Sequence, residues 1–593
     1  MEEPPRKRRA TVAFNYCRQR KRKCDGRQPV CTLCEEANQS QCEYQERQTK
    51  QTPMEGDQAT EIIERLKRLE QAVTELSGPK TSSHDYLPRP ICSPLTGSNT
   101  GRTHNVQPVQ RLTSRATATS PSELNWSTPD VPYCAPSTDA DDNAVMSIPL
   151  AHSTTTGDLL RSGIAQSLLG AYPADVFKRI EVRRQVPASI SFDPVPRDQI
   201  HFPVIAHLVN PQHPVLVSSM FMPLYCEVLE CGPGPNAHST LVLLVLALGA
   251  AASETPDPIL GEWLPGVQFF TPALKYLMTA WPGFFSSDNT TLTQALYLAA
   301  VYYSYLSRPA QAWHLVYIAS ANAQHLLIQD RHSQYIIRLC WAIFMLECDI
   351  TAEHHLPRSS IELMVETLPF PECKVPPDFD MFSWLANLSA HRLLNRIHHL
   401  LYGGKDVSSQ PGQVSDVRNE PSTAIFRISQ ELHHQLLEWY NLLPSVIRPN
   451  LDDSSPSVEK AILLLRYHAA GDIIFRPFLL HVLQLPQQAV VPEEMLENAR
   501  MCLRHCRGYL LAVEHRLRES SGSLEIVLHS TLAAVLLLTQ AFLCPKLASA
   551  VQDITSLQSH VISLFKEWAF PGSSIEAMLS IVRTMRDKFT MLK

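Results

Sequence analysis

The residues best placed to do chemistry lie between Cys17 and Cys42. Cys17, Cys24, Cys31, Cys34 and Cys42 put five of the 15 cysteines of this 593-residue chain within 26 positions. Thiolates are the preferred ligands of structural zinc, and close spacing lets a short loop close on a tetrahedral ion. So short a stretch cannot bury a core of its own, and bound metal would supply its folding free energy. Between Cys17 and Cys24 stand Arg18, Gln19, Arg20, Lys21, Arg22 and Lys23, good helix formers with no apolar side chain among them. A helix of that composition is one held by metal and turned toward something negative, and phosphate is the obvious partner. Disulfides are not expected, because the chain starts MEEPPRKRRA without an apolar signal region and so points to a reducing compartment.

These residues, with CDGRQP after the basic run, resemble the fungal zinc binuclear-cluster DNA-binding domain of the galactose-regulator type. Its pattern has six cysteines, and Cys17, Cys24, Cys31, Cys34 and Cys42 match the second to the sixth. Phe14 stands where the first should be. In that family the first and fourth cysteines bridge two metals, so Cys31 is left as the one expected bridge. Three arrangements accommodate the change: two zincs with three protein ligands each, one zinc on four of the five thiolates, or a misassigned residue at Phe14. Zinc binding is expected in each.

The resemblance further implies roles for the basic residues. Arg20 and Lys21 match the base-reading positions and would donate to the O6 and N7 acceptors of guanine. Arg18, Arg22, Lys23 and Arg27 would hold phosphate and make affinity fall steeply with salt. Pro29 matches the proline that shapes the loop between the two metal-binding halves. The implied target is double-stranded DNA carrying paired CGG triplets.

The elements that must position this head follow in order. Residues 1–13 form a basic arm whose Arg6-Lys7-Arg8-Arg9 reads as a nuclear localisation signal, and residues 14–42 form the cluster. Net charge is -6, yet residues 1–27 carry ten Lys or Arg against three Asp or Glu, so +7 sits there and -13 on the remainder. A basic head on an acidic body suits polyanion binding at one end. Residues 43–60 are a polar linker. Ile62, Leu66, Leu69, Val73 and Leu76 then alternate steps of four and three, a coiled-coil seam over 61–77 closed by Gly78-Pro79. Its place after the cluster is that of the family's dimerisation element, so a homodimer is expected. Residues 78–157 are rich in Ser, Thr, Pro, Asn and Asp and are expected to be a disordered linker.

Residues 158–593 read as a large all-helical regulatory domain, making the whole chain mainly α. Glycine is scarce at 21 residues, and apolar residues recur at helical spacing. One helix is predicted through Ile425, Ile428, Leu432, Leu436 and Trp439, another through Leu393, Ile397 and Leu401 to a stop at Gly403-Gly404. The apolar runs Leu241–Ala252 and Thr531–Leu543 fall short of the ~20 residues a bilayer needs. They are expected to be buried core helices, with no membrane partner. Tyr335 to Ile361 is predicted to open with a central helix, apolar on nearly every face until Glu347. Arg338, Leu339, Trp341, Phe344 and Glu347 also resemble the signature of the regulatory middle region found downstream of such zinc clusters, with Cys340 and Leu356-Pro357-Arg358 departing from it.

Catalysis finds no support in the sequence. The pairs His354-His355, His398-His399 and His433-His434 point to different sides of a helix, and HExxH, GxSxG, GxxxxGK and a strand-flanked GxGxxG are all missing. The expected function is that of a nuclear, zinc-dependent, sequence-specific regulator of RNA polymerase II transcription, pathway-specific as its relatives often are. Coactivators or a small-molecule effector would act at the helical domain. The rival reading is a DNA-binding-defective regulator that works through protein partners because Phe14 breaks the cluster.

Overall fold

The computed structural model describes residues 147–592, apart from 151, 185–211, 254–263, 281, 284–288, 373–378, 404–420, 422 and 452–455. Among the described residues every regular element is helical, and three short helices lead. They are α1 (Thr156–Leu160), α2 (Gly163–Leu169) and α3 (Val176–Arg183). The side chains of Thr155 and Ser162 cap the first two by accepting from the backbone N–H of Asp158 and Ala165. Residues 147–157, which composition assigns to the linker, are packed here. Ile148 is buried, and the Thr154 carbonyl accepts from Arg476 Nη1 at 2.7 Å.

One apolar core is built by α4 (Ser218–Cys231), α5 (Ala237–Ser253), α6 (Val267–Thr279), α7 (Thr290–Tyr305), α8 (Pro309–Gln329), α9 (Gln334–His354) and the short α10 (Ile361–Val365). Successive helices pack on one another, α5 against α6 and α7, α8 against α7 and α9. Pro309 starts α8 where its missing N–H costs nothing. The central α9 begins one residue before the predicted start, and Ile337, Leu339, Trp341 and Phe344 are all buried. Its signature residues prove structural. Trp341 Nε1 donates to the Pro369 carbonyl at 3.0 Å, and Glu347, fully buried, accepts from the Ser359 backbone N–H at 2.7 Å. Arg358 pairs with Glu362 across the turn that replaces the family's.

A second core joins α1–α3 to α12 (Thr423–Leu442), α13 (Val458–Gln484), α14 (Glu493–Leu517), α15 (Leu524–Leu543), α16 (Ile554–Lys566) and α17 (Ser574–Leu592). The antiparallel pair α13 and α14 is its spine. Here two glycines are required by close approach. A Cβ on Gly471 would lie 2.3 Å from the His505 ring, and one on Gly508 would lie 2.3 Å from the His468 ring. Each helix therefore leaves a notch for an imidazole of the other, and the rings meet with Nδ1 atoms 3.3 Å apart.

Between the cores runs α11 (Phe379–Tyr402), which has two apolar faces. Met381, Trp384, Leu385 and Leu388 enter the first core, while Phe382, Ala386, Leu393 and Ile397 enter the second. Both predicted helices are reproduced: α11 stops at Tyr402, where the glycines are expected to end it, and α12 spans the predicted Ile425–Trp439. The run Thr531–Leu543 lies in a buried core helix as expected, but the length expected of that helix needs correction. It is the C-terminal part of the 20-residue α15, long and apolar enough to cross a bilayer by length and composition, with 78% of its most apolar window buried inside the protein. Its first turns escape a hydropathy reading because Glu525 and His529 interrupt them.

Candidate functional site

The boundary between the two cores is polar. Asp349 on α9 faces Arg466 on α13, with Arg466 Nη2 3.0 Å from each carboxylate oxygen. From α11, His391 Nε2 lies 3.1 Å from Asp349 Oδ1, and Asn387 Oδ1 accepts from Arg466 Nε at 3.1 Å. Burial pushes the Asp349 carboxyl up, but Arg466 and His391 outweigh it and hold it far below the usual carboxylate range. The Asp349 carboxylate therefore stays charged at neutral pH.

This pair borders a cavity of about 280 Å³. Tyr297, Met345 and Trp384 give it apolar walls, and Asp380, Glu459 and Glu519 add carboxylates. His213 also lines it, with Nδ1 2.7 Å from the Tyr297 hydroxyl, and burial lowers its pKa to about 4, so it is neutral. On its other side the Asp349–Arg466 pair borders a smaller cavity of about 80 Å³, shared with His391, His398 and His529. Apolar walls with a few convergent polar groups between packed helices suit binding of a small molecule. The nearest thiol to the ion pair, Cys348, is pushed up to about 12 by burial, and a thiol kept protonated is a poor nucleophile.

A second polar cluster lies where α1, α9 and α15 meet. Thr156 donates to Glu353 Oε1 through its backbone N–H at 2.7 Å and through its hydroxyl. His529 Nδ1 lies 2.8 Å from the Thr156 hydroxyl oxygen and 3.1 Å from Glu353 Oε1. On the other side His354 Nε2 is 3.0 Å from Glu525 Oε1. Burial alone would lower His529, yet Glu353 and Glu525 raise it to about 9. Of the predicted His-His pairs, His354 sits in this cluster and His398 in the smaller cavity, where burial lowers it to about 4. Neither polar cluster was singled out from sequence, because each joins residues more than 100 positions apart.

The predicted site residues of the head lie outside the described residues. This holds for the thiolates Cys17, Cys24, Cys31, Cys34 and Cys42, for Arg18, Arg20, Lys21, Arg22, Lys23 and Arg27, and for the seam Ile62, Leu66, Leu69, Val73 and Leu76. The thiolates and the basic residues, but not the seam, fall within the first of two family matches. Residues 13–51 match the fungal Zn(2)-Cys(6) binuclear cluster domain, and residues 206–460 match the fungal specific transcription factor domain. The domain pair is that of a fungal Zn2Cys6 transcription factor. Neither a curated protein nor a solved structure matches the chain. The first domain binds zinc, and the five thiolates are the donors that chemistry asks for. The two matches support a DNA-binding regulator of transcription, and both matched domains are transcription-factor domains rather than enzyme families. The second match runs from before α4 to the start of α13, so it takes in the whole first core, α11 and α12.

Proposed function

We propose that the protein binds paired CGG triplets as a nuclear homodimer and controls one pathway through its helical body. The reading rests on the cysteine spacing from Cys17 to Cys42 around a segment with five basic residues in six positions, within the matched zinc-cluster domain. Zinc supplies the folding free energy of the head when bound. Arg20 and Lys21 read guanine edges, while Arg18, Arg22, Lys23 and Arg27 grip phosphate and set the register. Ile62, Leu66, Leu69, Val73 and Leu76 pair two chains and fix the spacing of the half-sites. The described body supplies the regulatory part: the 280 Å³ cavity at the core boundary is suited to a small-molecule effector.

Selection of the full chain on random duplexes, with zinc and then with a chelator at one fixed salt concentration, tests this. Paired CGG triplets should be enriched and the enrichment should vanish on chelation. Binding that ignores both sequence and metal would overturn the reading. It would leave the rival in which Phe14 disables the cluster, and Phe14→Cys would then create sequence-specific affinity where the natural chain has none.

A further inference from the structure

We propose that the helical body holds a divalent metal ion of its own, zinc being the best match, on His354, Glu525 and His529. This assignment stands apart from the cluster of the head and does not depend on it.

The three ligand atoms, one from each residue, lie within 4.8 Å of one another. His354 Nε2 is 3.0 Å and His529 Nε2 is 3.7 Å from Glu525 Oε1. In a tetrahedral zinc site with bonds near 2.05 Å, neighbouring donor atoms stand about 3.3 Å apart. The observed separations bracket that edge. The two imidazoles lie perpendicular, their planes 88° apart and centroids 5.5 Å apart, and both present Nε2 to the same Glu525 oxygen. Glu525 and His529 are four residues apart on α15 and share one face of it, and His354 enters from α9.

Two further observations point to a ligand. His529 is 1% exposed, and its Nε2 is a buried polar atom without a hydrogen-bond partner; 3.7 Å to a carboxylate oxygen is too long for one. Its other nitrogen, Nδ1, is tied to Glu353 and to the Thr156 hydroxyl. A carboxylate on the far nitrogen is how metal-binding histidines are usually oriented; Glu353 holds the Nδ1 proton, and a bound metal would displace the Nε2 proton that the two carboxylates otherwise keep on the ring. Charge also closes: a dication with Glu525 and Glu353 makes a neutral buried unit, whereas isolated buried charge is costly. Three protein ligands leave the fourth position of a tetrahedral site open, and water would fill it.

The other cluster of metal-ligand types, Asp472 with Cys502 and Cys506, is spoken for. Arg476 engages both oxygens of Asp472, and burial pushes both thiols up. Thiolates are what a metal would need there.

The test counts metal in the full chain after the head has been silenced by Cys17→Ser, Cys24→Ser, Cys31→Ser, Cys34→Ser and Cys42→Ser. Expressed in zinc-supplemented medium, this chain should retain one zinc, and its melting temperature should fall when the zinc is stripped. His354→Gln or Glu525→Gln should each weaken zinc binding at least tenfold, and Glu353→Gln should weaken it about 10- to 100-fold. Cobalt in its place should give ligand-field absorption without thiolate-to-metal charge transfer. A helical, cooperatively melting head-silenced chain with no zinc would overturn the proposal, as would a thiolate charge-transfer band or zinc that both glutamine variants hold as tightly. If those variants do not fold, the zinc count and the cobalt spectrum of the head-silenced chain alone decide.

Discussion

Asp349 shows how strongly a single residue can weigh on the core boundary. Its carboxylate is the one anion that Arg466 and His391 share, so Asp349→Asn leaves Arg466 without compensation in a mostly buried place. The loss should be about 3 kcal/mol or more in denaturant unfolding, because breaking one partner of a buried pair strands the other. Replacing both together, Asp349→Leu with Arg466→Met, should recover most of it; a double variant as unstable as the single one would mean the pair is not the cause. In the head, Lys21→Ala should cost ~1 to 3 kcal/mol and relax base preference, while Arg22→Ala should weaken all duplexes alike. Titrations against matched and mismatched duplexes separate the two effects, and equal behaviour would refute the division of roles.

Among elements, α13 and α14 carry the most exacting contact. Gly508→Ala would set a Cβ 2.3 Å from the His468 ring, which is half-buried and packed against His505. Overpacking of this kind costs about 1 to 3 kcal/mol, and thermal unfolding of the variant should show it as a lowered melting temperature. An unchanged melting temperature would mean that the ring rotates away freely. How far such elements can be read in advance depends on what makes them. The helix through Leu432, Leu436 and Trp439 was legible because its buried residues repeat every three or four positions along one face. The start of α15 was not, because Glu525 and His529 interrupt its apolar run, and their partners His354 and Glu353 are brought to them only by the fold. The same holds for Asp349 and Arg466, 117 positions apart. The head is the reverse case, since five cysteines within 26 residues around a basic segment stand out by spacing alone.

For the whole molecule, the buried neutral histidines set an acid limit. Burial lowers His213, His398 and His468 to about 4 and His505 to about 3. An unfolded chain would bind protons at these sites near pH 6.5, so the folded state binds fewer between there and about 4. Stability from these groups is therefore full above about 6.5 and is lost as pH falls toward 4 and then 3. Denaturant midpoints taken between pH 7.5 and 4.5 should fall steadily; a flat profile would mean that the four rings are protonated in the folded protein.

The two faces of α11 have a consequence for signalling. A helix whose opposite sides are both committed to apolar packing cannot swing away from one core without tearing at the other. The halves of the body thus lack an independent hinge along it, and should melt in one calorimetric transition rather than two. Occupancy of the cavity beside Trp384 would be transmitted through a rigid strut, so that an effector acts by raising the cost of opening the entire body rather than by rotating one lobe against its neighbour.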